Sequence, residues 1–218
     1  MTSSAQQLIR AVEVADSAIS LTQATQALAQ ACLPEGIPTL IAVLSYNNPG
    51  AAVAAVDGLI QLGESAVQPL IELLDGYNYS GRAWGIRALA GLEDPRALNL
   101  LLDAARHDFA LSVRRAAARG LGSLRWQQLP AEQMRSAHAQ TLETLLAVAV
   151  EDVEWVVRYA AIVGLQGLAQ AVEDHGLILP IVHQFAQSQE QDPEIAVRCR
   201  ARLAQQQVQA QQPQLATA

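Results

Sequence analysis

Residues 113–124 read VRRAAARGLGSL, and residues 157–168 read VRYAAIVGLQGL. Two copies of one pattern in one chain mark a repeat, and a repeat decides architecture before any other signal does. In both copies the leucines and valines recur at helical spacing, and Ala and Gly fill the positions between them. Small side chains let such a helix lie close against a neighbour. A shorter copy, VRCRARL, follows at residues 197–203.

Working back toward the N-terminus, one shift lays Leu40 on Leu70, Leu44 on Leu74, Val56 on Ile86, Leu59 on Leu89 and Leu62 on Leu92. A second shift carries Leu89 and Leu92 onto Leu121 and Leu124. Ahead of each small-residue helix runs another with leucines at i, i+3 and i+4, as in Leu98, Leu101 and Leu102 or Leu142, Leu145 and Leu146. A single helix hairpin cannot bury both of its faces, so such hairpins stack into a one-dimensional array. The expected fold is an all-α solenoid of about five hairpins from residue 37, in one domain spanning residues 1–204. Residues 1–36 are expected to be a capping helix pair broken near Asp16-Ser17. Between the third and fourth hairpins, Leu129-Pro130-Ala131-Glu132 opens a short inserted helix with proline in its first turn. The glutamine-rich stretch 205–218 is expected to be a disordered tail.

Composition supports helices on helices. Apolar residues make up 51 % of the 218 positions but aromatics only 4 %, so the core material is mostly Ala, Leu, Val and Ile. Ala and Leu are strong helix formers. Net charge is −7, which disfavours a phosphate-tracking surface and so a nucleic-acid partner. No apolar run approaches the ~20 residues that span a bilayer, and no signal peptide is read at the N-terminus. Cys32 and Cys199 lack metal-ligand spacing, and both are expected to be reduced and buried. A soluble cytoplasmic protein follows from these readings.

A second periodic signal is independent of hydrophobicity. Asp108 with Arg114, Asp152 with Arg158 and Asp192 with Arg198 stand at one constant spacing, acid in the turn and arginine in the following helix. Such pairs can bridge within a repeat or to the next one as a ladder that sets repeat register, or can turn some of the arginines toward a ligand carboxylate. The first two hairpins lack the pair and carry SYNNPG at 45–50 and DGYNYSGR at 75–82 instead. Asn, Pro and Gly make these turns, while the matching Tyr46-Asn47 and Tyr77-Asn78 exceed what a turn needs. Tyr79, Trp84, Trp126, Trp155 and Tyr159 also lie near turns. They read either as gap fillers at repeat junctions or as a stacking wall for a flat ligand or a partner helix. Asp75, Asp108, Arg82 and Arg114 would then supply polar anchors.

The usual catalytic signatures are missing: no phosphate-binding glycine loop, no HExxH, no GxSxG. Four scattered histidines, His107, His138, His175 and His183, give no metal site. Composition and spacing therefore describe a scaffold without naming a reaction.

Longer segments carry a resemblance. YNNPGAAVAAVDGLIQLGESAV (46–67), LDGYNYSGRAWGIRALAGLEDPRAL (74–98) and DFALSVRRAAARGLGSLRW (108–126) resemble the F-type subunits of heterodimeric E/F phycocyanobilin lyases, built of HEAT-like repeats. The likeness runs from about residue 8 to residue 169. It implies a HEAT-like hairpin solenoid, or α–α superhelix. It also implies an enzyme that works with an E-type partner to attach phycocyanobilin to a cysteine of the apo-phycocyanin α subunit in cyanobacteria. The acceptor thiol adds across the ring A ethylidene group and forms a thioether. The bilin is then a substrate, and no cofactor is permanently bound. A related subfamily that also isomerises the bilin carries an Asn-His-Cys motif where this chain has Tyr46-Asn47-Asn48-Pro49-Gly50, which points away from isomerase activity. On this reading Asp75 or Asp108 assists protonation, and Arg82, Arg114 or Arg158 pairs with the propionates. Tyr77, Tyr79, Trp84 or Trp155 stack on the rings, and Tyr46, Asn47 and Asn78 add contacts to bilin or partner. A non-catalytic scaffold or a bilin chaperone is the alternative.

Overall fold

The computed structural model describes residues 4–75 and 79–211; the side chains of residues 75, 79 and 80 lie outside that description. Among the described residues there is no strand, and the α-helices pair in hairpins as the sequence periodicity requires. The chain packs as two compact units, residues 1–97 and residues 98–218.

The first unit holds α1 (Ser4–Glu13), α2 (Ala18–Ala31), α3 (Ile37–Val43), α4 (Pro49–Leu62), α5 (Glu64–Asp75) and α6 (Tyr79–Leu92). A break at residues 14–17 separates α1 from α2. Ser17 starts α2 with a reciprocal box in which its hydroxyl accepts from the Ser20 N–H and the Ser20 hydroxyl accepts from the Ser17 N–H. Helices α2, α4 and α6 form one row and α3 and α5 a second, so each hairpin spans two layers. The leucines aligned by the repeat shift lie between the rows: Leu40, Leu44, Leu59, Leu70 and Leu89 are fully buried. Each such side chain contributes about 1.5–3 kcal/mol through burial. Helix ends at equivalent places turn through the left-handed region, at Cys32 (φ 49°), Gly63 (φ 66°) and Glu93 (φ 56°). Only the second uses the residue that adopts this geometry without strain.

The second unit holds α7 (Leu98–His107), α8 (Leu111–Leu121), α9 (Ala131–Glu151), α10 (Trp155–Ala171), α11 (His175–Gln191) and α12 (Ile195–Gln211). Helices α8, α10 and α12 form one row and α7, α9 and α11 the other. The α8–α10 contact is made backbone to backbone. A Cβ on Gly122 would stand 2.6 Å from the Gly164 Cα, and one on Gly164 or Gly167 would strike the Ala118 or Gly122 carbonyl. The alanines and glycines of the repeat motif are there to permit this approach.

Three expectations need correction. The insertion after the third hairpin is no separate helix. A single 3-10 turn, Trp126–Gln128, leads through Pro130 directly into α9, whose first turns are the inserted segment fused to the hairpin helix. The glutamine-rich stretch does not fray at 205: α12 runs to Gln211 because Ala204 and Val208 continue its buried stripe, and glutamine is an adequate helix former. Cys32 and Cys199 are free, as expected, but exposed rather than buried. Cys32 follows the end of α2, and Cys199 lies on the side of α12 away from its core stripe.

Candidate functional site

The constant Asp–Arg spacing builds a ladder, and its rungs cross between hairpins. Arg114, one helical turn into α8, donates from Nε and Nη2 to the two carboxylate oxygens of Asp152 in the next turn, at 2.6 and 3.0 Å. Its Nη1 donates to the carbonyls of Asp108 and Phe109 in its own turn, at 3.0 and 3.1 Å. Arg158 repeats the arrangement. Nε and Nη2 reach Asp192 at 2.8 and 3.0 Å, and Nη1 reaches the Asp152 and Val153 carbonyls at 2.8 and 3.3 Å. Each aspartate also folds its own turn, accepting from the N–H two residues on: Ala110 for Asp108, Glu154 for Asp152 and Glu194 for Asp192, all at 2.9 Å. One planar fork thus holds two successive hairpins in register.

The electrostatics follow from that geometry. Burial alone would push the Asp192 carboxyl up, but the bidentate Arg158, the Glu194 N–H and the nearby charges of Arg158 and Arg198 hold it below its ordinary value. The bond to Asp192 raises Arg158, and the bond to Asp152 raises Arg114, each against the cost of burial. Arg114 and Arg158 were candidates for a bilin carboxylate. The structure engages both forks with aspartates and so assigns them to the ladder. Asp108, a candidate acid, is buried and caps its own turn. A cleft of about 360 Å³ opens beside Arg114 and Asp152, bounded also by Asp108, Val153, Arg106 and Glu151. Its charges pair internally, with Arg106 lying 3.8 Å from Glu151. It is therefore not an anion well.

The remaining candidates fall in both units. In the first, Tyr46 and Asn47 are exposed at the turn before α4, and Tyr46 keeps 46 % of its surface. Asn48, read from the sequence only as a turn residue, ties this turn down. Its Oδ1 accepts from the Ala51 N–H at 3.1 Å, and its Nδ2 donates to the Ala18 carbonyl of α2 at 2.9 Å. Asn followed by Pro at the first helical position was the signal for that cap. Trp84 is half-buried on α6 with the Arg87 guanidinium 5.5 Å from its ring centroid. Arg82 is half-buried on the same helix and is also engaged. Tyr77 and Asn78 lie outside the described residues, as do the side chains of Asp75 and Tyr79.

In the second unit Trp155 keeps 41 % of its surface, and Tyr159 is exposed one turn further along α10. Trp155 belongs to a row whose other members the sequence reading did not single out. Aligning the repeats at the ladder aspartates places Phe109 with Val153, and Leu111 with Trp155 and Ile195, and all five are exposed. The ladder brings these apolar side chains to equivalent heights on one edge. Trp126 is not part of that edge. It is buried, with its ring edge-on to His138 at 4.7 Å.

Paired rows of helical hairpins, stapled by arginine forks and presenting an edge of apolar side chains, define a HEAT-like repeat protein. The family description "PBS lyase HEAT-like repeat" matches residues 51–76, and "HEAT repeats" matches residues 67–166. Phycocyanobilin lyase subunit beta of Pseudanabaena tenuis is 54 % identical over 217 residues, 99 % of this chain and 77 % of that protein. Phycocyanin alpha phycocyanobilin lyase CpcF of Synechocystis sp. is 55 % identical over 193 residues, 88 % of each chain. A solved structure, the complex of CpcE and CpcF of phycocyanin lyase from Nostoc sp. PCC7120, contains a chain 52 % identical, with a TM-score of 0.73, covering 78 % of this chain and 98 % of that one. The chain belongs to the family of the beta, or F-type, subunits of phycocyanobilin lyase.

Proposed function

We propose that this chain is the F-type subunit of a heterodimeric lyase that attaches phycocyanobilin, through a thioether, to a cysteine of the phycocyanin α subunit. Identity above 50 % with named phycocyanobilin lyase subunits, across nearly the whole chain, carries the reading. The E-type subunit is the working partner, as in the CpcE and CpcF complex. Phycocyanobilin is the substrate, and the cytoplasm is the compartment. Among the described residues no helix is long and apolar enough to cross a membrane. With Asn47-Asn48-Pro49 in the early turn instead of an Asn-His-Cys motif, the product is the unisomerised bilin.

The reaction suits a chain without a nucleophile of its own. The acceptor sulfur bonds to the ethylidene carbon of ring A, and the thiol proton is balanced by protonation of the bilin. The protein's share is orientation of two reactants, which can lower a barrier by several kcal/mol. Tyr46, Asn47, Trp84 and Trp155 are the proposed contacts among described side chains. Asp75, Tyr77, Asn78, Tyr79 and Arg82 complete the candidate set, with Asp75 as the acid. We extend the same reading to the repeats acting as one domain.

Co-expression of the chain with its E-type partner, bilin synthesis enzymes and the α subunit tests the function. A zinc-fluorescent covalent adduct above spontaneous background, with the absorption of phycocyanobilin, is expected. Background-level adduct would refute the lyase reading, and a blue-shifted isomerised product would refute its specificity. Wild-type transfer by a folded heterodimer carrying Asp75→Asn or Arg82→Leu would remove those residues from the site.

A further inference from the structure

The ladder runs in one direction, and among the described residues its last rung is open. Arg198 is held as Arg114 and Arg158 are, its Nη1 donating to the Asp192 and Pro193 carbonyls at 2.7 and 2.8 Å. In the two earlier rungs Nε and Nη2 close on the aspartate of the following hairpin. Among the described residues no hairpin follows α12, and no carboxylate pairs with that edge of Arg198.

The rest of the α12 face agrees. One turn beyond Arg114 and Arg158 stand Ala118 and Ile162, both fully buried by the stack, but one turn beyond Arg198 stands Arg202, exposed. Beside it Ile195 keeps 66 % and Leu203 47 % of their surface. Helix α12 carries three arginines and no carboxylate, within a chain of net charge −7. A solvated end cap needs only polar residues. Arginines set among large apolar side chains are instead the composition of a protein interface.

We propose that the outward face of α12, centred on Arg198 and Arg202, docks the E-type partner subunit through a carboxylate that fills the open rung as Asp152 and Asp192 fill the earlier ones. This rests on the heterodimer reading above. A second copy of this chain is the poorer occupant, because its ladder aspartates are already engaged: Asp152 and Asp192 hold arginines, and Asp108 is bonded within its own fold.

Cys199 lies between the two arginines and is exposed, and exposed Cys32 in the other unit serves as an internal reference. The purified heterodimer is treated with a maleimide, and peptide mapping gives the labelling rate of each cysteine relative to the urea-unfolded chain. Cys199 is expected to react at least about tenfold more slowly than Cys32. Arg202→Glu, which leaves the Arg198 bonds to its own turn in place, is expected to weaken the heterodimer about 30-fold and restore Cys199 labelling. An intact heterodimer whose Cys199 reacts as fast as Cys32 overturns the inference and leaves the lyase reading standing. So does protection that appears only with the phycocyanin α subunit, or in a self-associated form of this chain alone. Failure of the wild-type chain to form any heterodimer overturns both.

Discussion

Replacing Arg158 by leucine tests whether the ladder holds the hairpins together. Arg158 and Asp192 are both buried, with side chains only 10 % and 5 % exposed. The substitution removes two charge-assisted bonds to Asp192 and two bonds to the carbonyls of the preceding turn. Breaking a buried pair by removing one partner costs about 3–5 kcal/mol, since the other charge stays buried and unpaired. Two features put this site at the lower end: Asp192 keeps the Glu194 N–H and the charge of Arg198, and Val153 is 86 % exposed, so water can serve its carbonyl. The expected loss is about 3 kcal/mol. Asp192→Asn retains an acceptor for the Glu194 N–H and should cost about 2 kcal/mol. In the double variant the losses should fall short of additivity by about 1.5 kcal/mol, because either change alone already breaks the pair. Arg10→Ala is the control. Its partner Glu13 is close, at 3.1 Å, but the side chains are 71 % and 51 % exposed, and the change should stay below about 0.5 kcal/mol. Urea unfolding followed by circular dichroism and by tryptophan fluorescence measures all four. A loss below about 1 kcal/mol for Arg158→Leu, or strict additivity in the cycle, refutes the claim that the fork carries the register.

Asn48→Ala removes the cap of α4 and the tie to α2, and should cost about 1–2 kcal/mol in the same unfolding assay. Gly164→Ala drives a Cβ into the Ala118 carbonyl, where only backbone movement relieves it. A loss of about 3 kcal/mol or failure to accumulate folded protein is expected, and wild-type unfolding would show that the α8–α10 approach is looser than described. Burial holds the His138 imidazole below its ordinary 6.5, so the folded chain resists a proton that the unfolded chain accepts. The stability this confers is complete above 6.5 and declines as pH falls toward the folded value. Unfolding free energies measured from about pH 7.5 down to about 5.5 should therefore decrease, and His138→Phe should flatten the slope.

Helical periodicity made the hairpins legible because each helix must bury one stripe, and the same stripes are buried in the structure: Val113, Ala117 and Leu121, then Val157, Ala161 and Leu165. The ladder was half legible. Spacing left a bridge within a repeat and a bridge to the next one both open, because spacing reports only neighbours in sequence; the carboxylate that closes the rung comes from the next hairpin. What links Asp108 to Arg114 is the aspartate's carbonyl. The insertion before α9 was misread because Pro130 marks a helix start without saying how long the helix runs. The exposed row of Phe109, Leu111, Val153 and Ile195 went unnoticed for a related reason. Hydrophobicity reads as core unless the helix phase is fixed, and the ladder fixes it.

A row of arginines that grip forward explains why little catalytic machinery is visible in this chain. Each fork takes hold of its own turn with one nitrogen and of the next turn with the other two, so the start of α10 is set by α8 and the start of α12 by α10. Side chains just after each ladder aspartate then project at a fixed repeat distance, and none of them needs to be an acid, a base or a nucleophile. For a reaction whose sulfur comes from the acceptor protein and whose electrophile is the bilin, such an edge supplies what the reactants lack, a shared geometry. The same construction gives the stack a direction. A rung closes on the following hairpin, and among the described residues none follows α12, so the fork of Arg198 is left unclosed there. Register within the chain and recognition beyond it are therefore one device, used internally at Arg114 and Arg158 and offered outward at Arg198.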